Sequence, residues 1–147
     1  KGDVITGLPE YAPTWEMPSD PLHEKYPLQM ISPHYKQRTH STYGNDEWTI
    51  EAAPQIVWIN PIDARARGVK QGDPVRIFND RGVVELPARV TPRIMPGVVA
   101  IPQGAWYKPG SDGVDTGGSA NTLTAYKPSP LAKGNPQHTN LVQVEKA

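Results

Sequence analysis

Polar side chains that could bind a ligand are concentrated in residues 34–42. Within these nine positions the chain carries two imidazoles, a guanidinium and hydroxyl groups, at His34, Arg38, His40, Ser41 and Thr42. Such a set offers many neutral hydrogen-bonding groups and one positive charge, as the burial of a large polar ligand requires. A solvated surface loop is the alternative interpretation, because no apolar period runs through this segment. The elements that hold the loop must decide between the two.

Two later segments carry similar groups. Asn121 follows Gly117 and Gly118; glycines let backbone approach a flat ligand closely, and an amide both donates and accepts. The alternative for Asn121 is a turn residue after a flexible Gly-rich loop. Gln137 and His138 come directly before the last apolar run. They either line the mouth of a binding site or belong to a solvent-facing segment.

Metal and thiol chemistry are not expected here. The chain has four histidines and no cysteine, and no HxH or HxxxH pair is present, so a zinc site is not predicted. The GSDGVDTGG segment misses the spacing of a calcium loop. Its Asp-Thr-Gly is only half of an aspartic protease motif. We interpret the segment as a flexible connection, and we expect no catalytic residue in the chain.

The run 60–82 identifies the elements that would position these groups. Asn60 can cap a short helix, Pro61 fits its first position and Gly68 can end it. Apolar runs on either side of the Asn-Asp-Arg-Gly turn predict a hairpin. The predicted strands are 27–32, 56–59, 75–78, 83–90, 98–101 and 141–144. Six short strands with short helices predict a mainly β, closed or nearly closed barrel.

Composition agrees with that architecture. The 147 residues contain 17 Pro and 13 Gly, which favours short strands joined by shaped loops. The formal net charge is zero, so no electrostatic footprint for nucleic acid is present. No apolar run approaches the roughly 20 residues of a membrane span, so we expect no direct membrane insertion. Trp58, inside a predicted strand, is expected in the core.

The first residues predict a lead-in rather than a core element. Prolines recur every few residues through this stretch, and proline disfavours helix interiors and central strands. We therefore divide the chain into an extended lead-in, 1–26, and a barrel domain, 27–147. The sequence shows no targeting peptide and does not begin with Met, so we expect a fragment of a longer protein.

The run 60–82, continued by residues 93–99 and 103–106, resembles the C-terminal molybdopterin-dinucleotide-binding domain of the dimethyl sulfoxide reductase family. Residues 38–42 are similar to the family's cofactor loop, and residues 117–124 to its Gly-rich segment with a pterin-facing Asn. Residues 134–144 are similar to the closing pattern of the catalytic subunit of anaerobic dimethyl sulfoxide reductase. The resemblance covers residues 26–146 and is most specific for that subunit.

The resemblance implies a six-stranded double-psi β-barrel that caps the cofactor-binding domains of a larger enzyme. The implied cofactor is molybdenum bis(molybdopterin guanine dinucleotide), and the implied reaction reduces a sulfoxide or a related N-oxide. His34, His40, Ser41, Thr42 and Asn121 are the implied cofactor contacts. Gln137 and His138 are implied at the barrel mouth, and Arg38 is either a further contact or one half of an interdomain ion pair.

Partners and location also follow only from the resemblance. It implies the remaining domains of the catalytic subunit, an iron–sulfur electron-transfer subunit and a membrane anchor subunit, with any iron–sulfur cluster in the N-terminal part or the partner subunit. The expected location is the periplasmic side of the bacterial inner membrane, peripheral through the partner subunits. The fragment alone is expected to be inactive. A stand-alone double-psi barrel acting as a protein-interaction module is the alternative. Trp106 and Tyr107 could line the cofactor site or pack between domains.

Overall fold

The computed structural model describes residues 7–129, 131–135 and 138–147. Six strands close into a barrel in the order β1-β5-β2-β4-β3-β6. They are β1 (Leu28–Ile31), β2 (Val57–Ile59), β3 (Pro74–Asn79), β4 (Gly82–Val90), β5 (Val98–Ala100) and β6 (Asn140–Lys146). Each predicted strand is present, with bounds that differ by one or two residues. The mainly β, six-stranded double-psi barrel is confirmed.

The barrel contains both parallel and antiparallel strand pairs, and one antiparallel pair is the β3–β4 hairpin. β1 pairs with β5 and β2 with β4 in parallel, whereas the remaining neighbours are antiparallel. In the β3–β4 hairpin Asn79 lies opposite Gly82 and Val75 opposite Leu86. The alternation that predicted the strands places Val75 and Ile77 in the barrel interior, where neither is exposed. Trp58 is half-buried rather than in the core, because it faces outward from β2 beside Arg89.

The helix after β2 follows the predicted chemistry. Helix α2 (Pro61–Ala66) has Asn60 as its N-cap, whose Oδ1 accepts the Ile62 N–H at 2.9 Å. The other amide atom of Asn60 donates to the Ile94 carbonyl at 2.6 Å. The cap therefore also joins the helix to the segment before β5. Gly68, at φ +65°, lies where the chain leaves the helix.

Two short helices before β2 were not predicted. The lead-in was expected to be extended, yet Pro21–Glu24 forms a 3₁₀ helix. Proline is compatible with a first helical position, and the Asp20 carboxylate caps the turn by accepting the Leu22 N–H. Helix α1 (Glu47–Ala52) follows the polar loop 34–42, and Asp46 caps it. Neither helix contains a buried residue, so neither shows an apolar stripe in the sequence.

The lead-in packs against the barrel through one buried ion pair. Glu16, which is 5% exposed, accepts bonds from both terminal nitrogens of Arg81 at 2.7 Å. Its carboxylate also accepts the Leu141 N–H in β6 at 2.8 Å. Arg81 in turn donates through Nε to the Leu123 carbonyl at 2.8 Å. Glu16 therefore joins the lead-in to the hairpin turn and the last strand.

None of the helices in the described ranges is long and apolar enough to cross a membrane.

Candidate functional site

A polar cavity of about 250 Å³ opens at one end of the barrel. Three segments form its wall: the chain after β1, the chain after β5 and the short 3₁₀ helix Ala120–Thr122. Most of the lining groups are neutral hydrogen-bonding side chains or exposed backbone. The lining residues are Ser32, His40, Ser41, Gln103, Gly104, Ala105, Ser119, Ala120, Asn121 and Thr124. The structure thus brings together two of the segments singled out in the sequence.

The two histidines of the polar loop meet at a common amide. Their rings lie edge to face, with centroids 5.2 Å apart. Gln103 Nε2 lies 2.7 Å from His34 Nδ1 and 3.3 Å from His40 Nδ1. Gln103 Nε2 also lies 3.3 Å from His34 Nε2, so its N–H groups face both nitrogens of that ring. Because an amide nitrogen only donates, Gln103 links the two imidazoles through ring nitrogens that accept.

The polar loop packs directly on the backbone that follows β5. Gly104 has φ +92°, and a Cβ built there would lie 1.7 Å from the His40 carbonyl oxygen. His40 itself has φ 52°, a left-handed conformation that is uncommon outside glycine. Trp106 Nε1 donates to the Ser41 carbonyl at 2.9 Å. The residue type at 104 therefore controls where His40 and Ser41 lie.

Three predicted contacts of the polar loop lie outside the cavity wall. His34 lines a separate depression. Thr42 forms a short bridge with Thr39 in a turn and is exposed. Arg38 is half-buried and donates to Gln55 Oε1 at 2.7 Å and to the Gln103 carbonyl at 3.2 Å. Burial lowers the pKa of Arg38 from its ordinary value, because desolvation disfavours the charged form. Its Nε is buried and has no partner in the described part of the chain.

Arg38 lines a second, larger depression of about 650 Å³. Three aromatic side chains border it, Tyr43, Trp106 and Tyr107, and each is more than half exposed. Helix α1 contributes Ile50, which is also exposed. The guanidinium thus separates a small polar cavity from a wide, partly apolar face.

The segment before Asn121 is ordered by a buried carboxylate. Asp115 is fully buried, and its Oδ1 accepts the N–H groups of Lys108 at 2.8 Å and Gly117 at 2.9 Å. Its Oδ2 accepts the Ser119 N–H at 2.7 Å and the Thr122 hydroxyl at 3.1 Å. The prediction of a flexible connection is therefore wrong for this part of the GSDGVDTGG segment. An Asp followed by Gly at the second position and Ser at the fourth is a turn signal that could have indicated it.

The loop before β6 reaches the cavity through its histidine. His138 is exposed, and its Nδ1 accepts the Ser32 N–H at 3.0 Å. Ser32 lines the cavity, and its hydroxyl donates to the Ile101 carbonyl. His138 is therefore held beside the cavity wall by backbone, with its second ring nitrogen left for another partner. Gln137 lies outside the described residues.

Several lining residues were not among the predicted contacts. Those with polar side chains are Ser32, Gln103, Ser119 and Thr124. Gln103 occurs in the sequence only as one polar residue after a strand, and nothing local distinguishes it. Across residues 7–129, 131–135 and 138–147, no group of three or more His, Asp or Glu side chains could hold a metal ion. The neutral hydrogen-bonding groups that line the cavity fit a polar organic ligand.

Comparison with known proteins shows the family of this chain. The family described as "Molydopterin dinucleotide binding domain" matches residues 28–141. Dimethyl sulfoxide reductase DmsA of Escherichia coli is 60% identical over 146 residues, which are 99% of this chain and 18% of that protein. Dimethyl sulfoxide/trimethylamine N-oxide reductase of Cereibacter sphaeroides is 40% identical over 91% of this chain and 18% of its own length.

A solved structure supports the fold. Acetylene hydratase from Pelobacter acetylenicus superposes with a TM-score of 0.78 at 19% identity, over 95% of this chain and 21% of that chain. The chain thus spans about a fifth of the length of the relatives it matches. Because the family match covers most of the chain and the barrel, the chain belongs to the molybdopterin dinucleotide binding domain family.

Proposed function

We propose that this chain is the C-terminal cofactor-binding domain of a molybdenum oxidoreductase catalytic subunit. The subunit would reduce dimethyl sulfoxide or related S- and N-oxides in anaerobic respiration. The observation that carries the proposal is the polar cavity in which His40, Ser41 and Asn121 meet, in a chain 60% identical to a dimethyl sulfoxide reductase. The barrel domain would comprise residues 27–147, and residues 1–26 would lead in from the preceding domain.

The donor set of the cavity fits a pterin dinucleotide. A pterin edge and its sugar-phosphate need neutral donors and acceptors, which imidazole, hydroxyl and amide groups provide. We propose molybdenum bis(molybdopterin guanine dinucleotide) as the cofactor, with Ser41, Asn121 and the imidazoles of His34 and His40 as its contacts. When bound, the cofactor would supply two-electron redox chemistry. Any iron–sulfur cluster would belong to the N-terminal part of the subunit or to a partner.

The residues of this chain would bind and orient the cofactor and keep water from it. Gln103 would hold the imidazoles of His34 and His40 in place, since its amide lies within 3.3 Å of a nitrogen of each ring. His138, fixed by the Ser32 N–H, and Gln137 would contact the cofactor from the loop before β6. Thr42 would make a contact from the outer part of the polar loop. No catalytic residue or metal ligand is proposed in this chain.

The wide apolar face supports a place inside a larger subunit. Tyr43, Trp106 and Tyr107, each more than half exposed, line the 650 Å³ depression together with Ile50 of helix α1. Large aromatic side chains exposed together commonly mark an interaction surface. We propose that this face packs against the remaining domains, since the chain spans 18% of its relatives' length. Arg38, at its border, would pair there or bind the cofactor.

The remaining partners would carry electrons to the subunit. An iron–sulfur electron-transfer subunit and a membrane anchor subunit would hold it peripherally at the periplasmic side of the bacterial inner membrane. The alternative, a stand-alone interaction module, is not favoured because such a module has no need of the polar cavity. The family match and the identity to reductase subunits also support the cofactor-binding assignment.

Replacement of Asn121 tests the proposed function. In the full-length catalytic subunit, Asn121→Ala removes an amide that lines the cavity and is exposed within it. We expect molybdenum and guanine nucleotide content, and sulfoxide reduction, to fall about tenfold, since a lost hydrogen bond to a buried ligand costs on the order of 1–2 kcal/mol. Metal analysis and nucleotide release measure the content.

The matched control is Gln71→Ala, which removes an exposed amide that does not line this cavity. It should retain full cofactor content. Normal content and normal turnover in Asn121→Ala would refute the assignment of Asn121.

A further inference from the structure

We propose that Asp115 is a positioning residue that holds Asn121 in its ligand-binding place. The inference rests on the proposed function, because it gives Asn121 the role of a cofactor contact. Asp115 does not line the cavity itself, whereas Ser119, Ala120 and Asn121 do. Its carboxylate lies behind that wall and acts on the ligand only through the segment it organises.

The carboxylate joins three stretches of chain at one point. The Lys108 N–H donates to it from the chain that follows β5. The Gly117 and Ser119 N–H groups donate from the Gly-rich turn, and the Thr122 hydroxyl donates from the 3₁₀ helix. All four donors are neutral, and together they satisfy the lone pairs of both oxygens. A carboxylate that is buried without a cation depends on such bonds for its solvation. The cluster is therefore complete only when the turn has this conformation.

Asp115 is itself fixed to the barrel. Its N–H donates to the Val83 carbonyl at 2.9 Å, and its carbonyl accepts the Glu85 N–H at 3.0 Å. Both partners belong to β4, a strand of the closed barrel. The barrel therefore fixes the position of the carboxylate, and the carboxylate in turn fixes the conformation of the Gly-rich turn.

The opposite side of the turn is closed by contacts. A Cβ on Gly117 would lie 2.0 Å from the Trp106 carbonyl oxygen, and one on Gly118, at φ +82°, would lie 2.8 Å from a methyl of Leu86. The turn is thus confined between these atoms and Asp115. Ser119 is the N-cap of the helix Ala120–Thr122 and makes no side-chain cap bond. The Ser119 N–H itself donates to Asp115, so the carboxylate holds the residue directly before the helix that carries Asn121.

The substitution Asp115→Asn would keep the size of the side chain and disrupt the hydrogen bonds that the carboxylate accepts. One carboxylate oxygen would become an NH₂ group, which donates and cannot accept. In one orientation the NH₂ would face the N–H groups of Lys108 and Gly117. In the other it would face the Ser119 N–H, while the Thr122 hydroxyl could turn to accept from it. We therefore expect the turn to loosen while the β4 pairing of residue 115 persists.

The test is a double-mutant cycle in the full-length catalytic subunit, with the rate of cofactor loss as its readout. The variants are Asp115→Asn, Asn121→Ala and the two together, and molybdenum and guanine nucleotide are measured during incubation with a chelator. We expect Asp115→Asn to speed cofactor loss about tenfold, since unsatisfied buried donors cost on the order of 1–3 kcal/mol. The double variant should exceed the faster single variant by no more than about twofold, because coupled residues are non-additive.

Asp112→Asn is the matched control. It makes the same change three residues away, at an exposed side chain that bonds only locally to the Val114 N–H, and it should leave cofactor loss unchanged. Hydrogen exchange should rise in residues 115–124 of Asp115→Asn and stay at the parent level in β3 and β4. That pattern distinguishes positioning from general stability.

Three results would overturn the inference. They are additive effects in the cycle, equal behaviour of the Asp115→Asn and Asp112→Asn variants, and faster exchange throughout β3 and β4. If Asn121→Ala alone retained cofactor normally, the proposed role of Asn121 would fail and this inference with it. Additive effects would overturn only the inference.

Thr122→Val serves if the Asp115→Asn subunit does not fold. This isosteric change removes one donor to Oδ2 and leaves the Ser119 bond. In combination with Asn121→Ala it gives the same cycle, with an expected change of about threefold. Additivity in this second cycle would also overturn the inference.

Discussion

The β3–β4 hairpin and the cavity wall are neighbours that are ordered in different ways. The hairpin has a continuous register from Pro74 opposite Pro87 to Asn79 opposite Gly82, and its inward residues fill the core. The cavity wall has no such ladder. Single side chains order it, chiefly Asp115 and Gln103, together with the close approach of Gly104 to the polar loop.

This difference separates the causes of fold and of site. Many equivalent backbone bonds and apolar contacts support the hairpin, so the loss of one weakens the barrel in proportion. Each part of the cavity wall depends on one or two side chains. A substitution there should displace the binding groups while changing the stability of the barrel little. The comparison predicts that stability and cofactor binding respond to different substitutions.

The largest effect on stability is expected in the hairpin. Ile77→Ala, at a fully buried position, should reduce the free energy of unfolding by about 2–5 kcal/mol, since it removes buried methyl groups and leaves a cavity. Urea unfolding of the chain, followed by tryptophan fluorescence, measures the change. Ile62→Ala is the control, because Ile62 is 62% exposed on α2 and should change stability little. Equal losses in the two variants would contradict the assignment of the core.

Gly104→Ala should separate site from fold. At φ +92° an L residue costs about 1–2 kcal/mol, and the new Cβ would also meet the His40 carbonyl oxygen. We expect the polar loop to move, so that cofactor content falls further than stability does. Molybdenum analysis and thermal unfolding of the full-length subunit measure the two quantities.

The control for this variant is Gly113→Ala. Gly113 has φ +81° and nothing within 4 Å of a built Cβ, so it carries the same backbone cost without the contact. Gly113→Ala should lose a similar amount of stability and keep its cofactor. If both variants lost cofactor alike, the close approach would not be what positions His40.

The smallest effect is expected at an exposed ion pair on the hairpin turn. Lys25 lies 2.6 Å from Asp80, and this hydrogen bond raises the pKa of Lys25 from 10.5 to about 12. The same bond lowers the pKa of Asp80 below its ordinary value of 3.8. The stabilisation from Lys25 is complete below pH 10.5 and is lost as pH rises through about 12. That from Asp80 is present above pH 3.8 and is lost as pH falls through the lowered pKa.

Lys25→Met should therefore lower the unfolding midpoint slightly at neutral pH, with the difference vanishing at both extremes. Thermal unfolding across pH measures it, beside Lys36→Met, which removes an exposed charge elsewhere. A difference between Lys25→Met and the parent that did not depend on pH would show that the pair is not the cause. Surface pairs contribute little in general, which places this effect last.

The barrel could be predicted because its causes are local and repeated. Alternating apolar residues indicated β3 and β4, and Asn60, Pro61 and Gly68 indicated α2 through chemistry within a few residues. Helix α1 was missed because it buries no residue, so its only sequence signal was the cap at Asp46. The lead-in helix was missed because proline was interpreted as a breaker, although it begins helices.

The site was only partly predictable, because its causes join distant parts of the chain. His40, Ser41 and Asn121 were indicated by residue type and by the family resemblance, and the structure places all three on one cavity. Gln103 could not be found, since its partners are more than 60 residues away. Asp115 was misinterpreted for the same reason: its burial depends on the pairing with β4, which the local sequence does not show.

The Glu16 ion pair changes how the chain can be divided for experiments. A boundary drawn from the strand pattern falls just before β1, and it would discard the counter-charge of Arg81 and the acceptor of the Leu141 N–H. Breaking a buried pair from one side leaves an uncompensated charge. A truncated protein that begins at the first strand would keep every strand. Its last strand would nevertheless lack the hydrogen bond from the Leu141 N–H to Glu16. The smallest segment worth expressing begins upstream of Glu16.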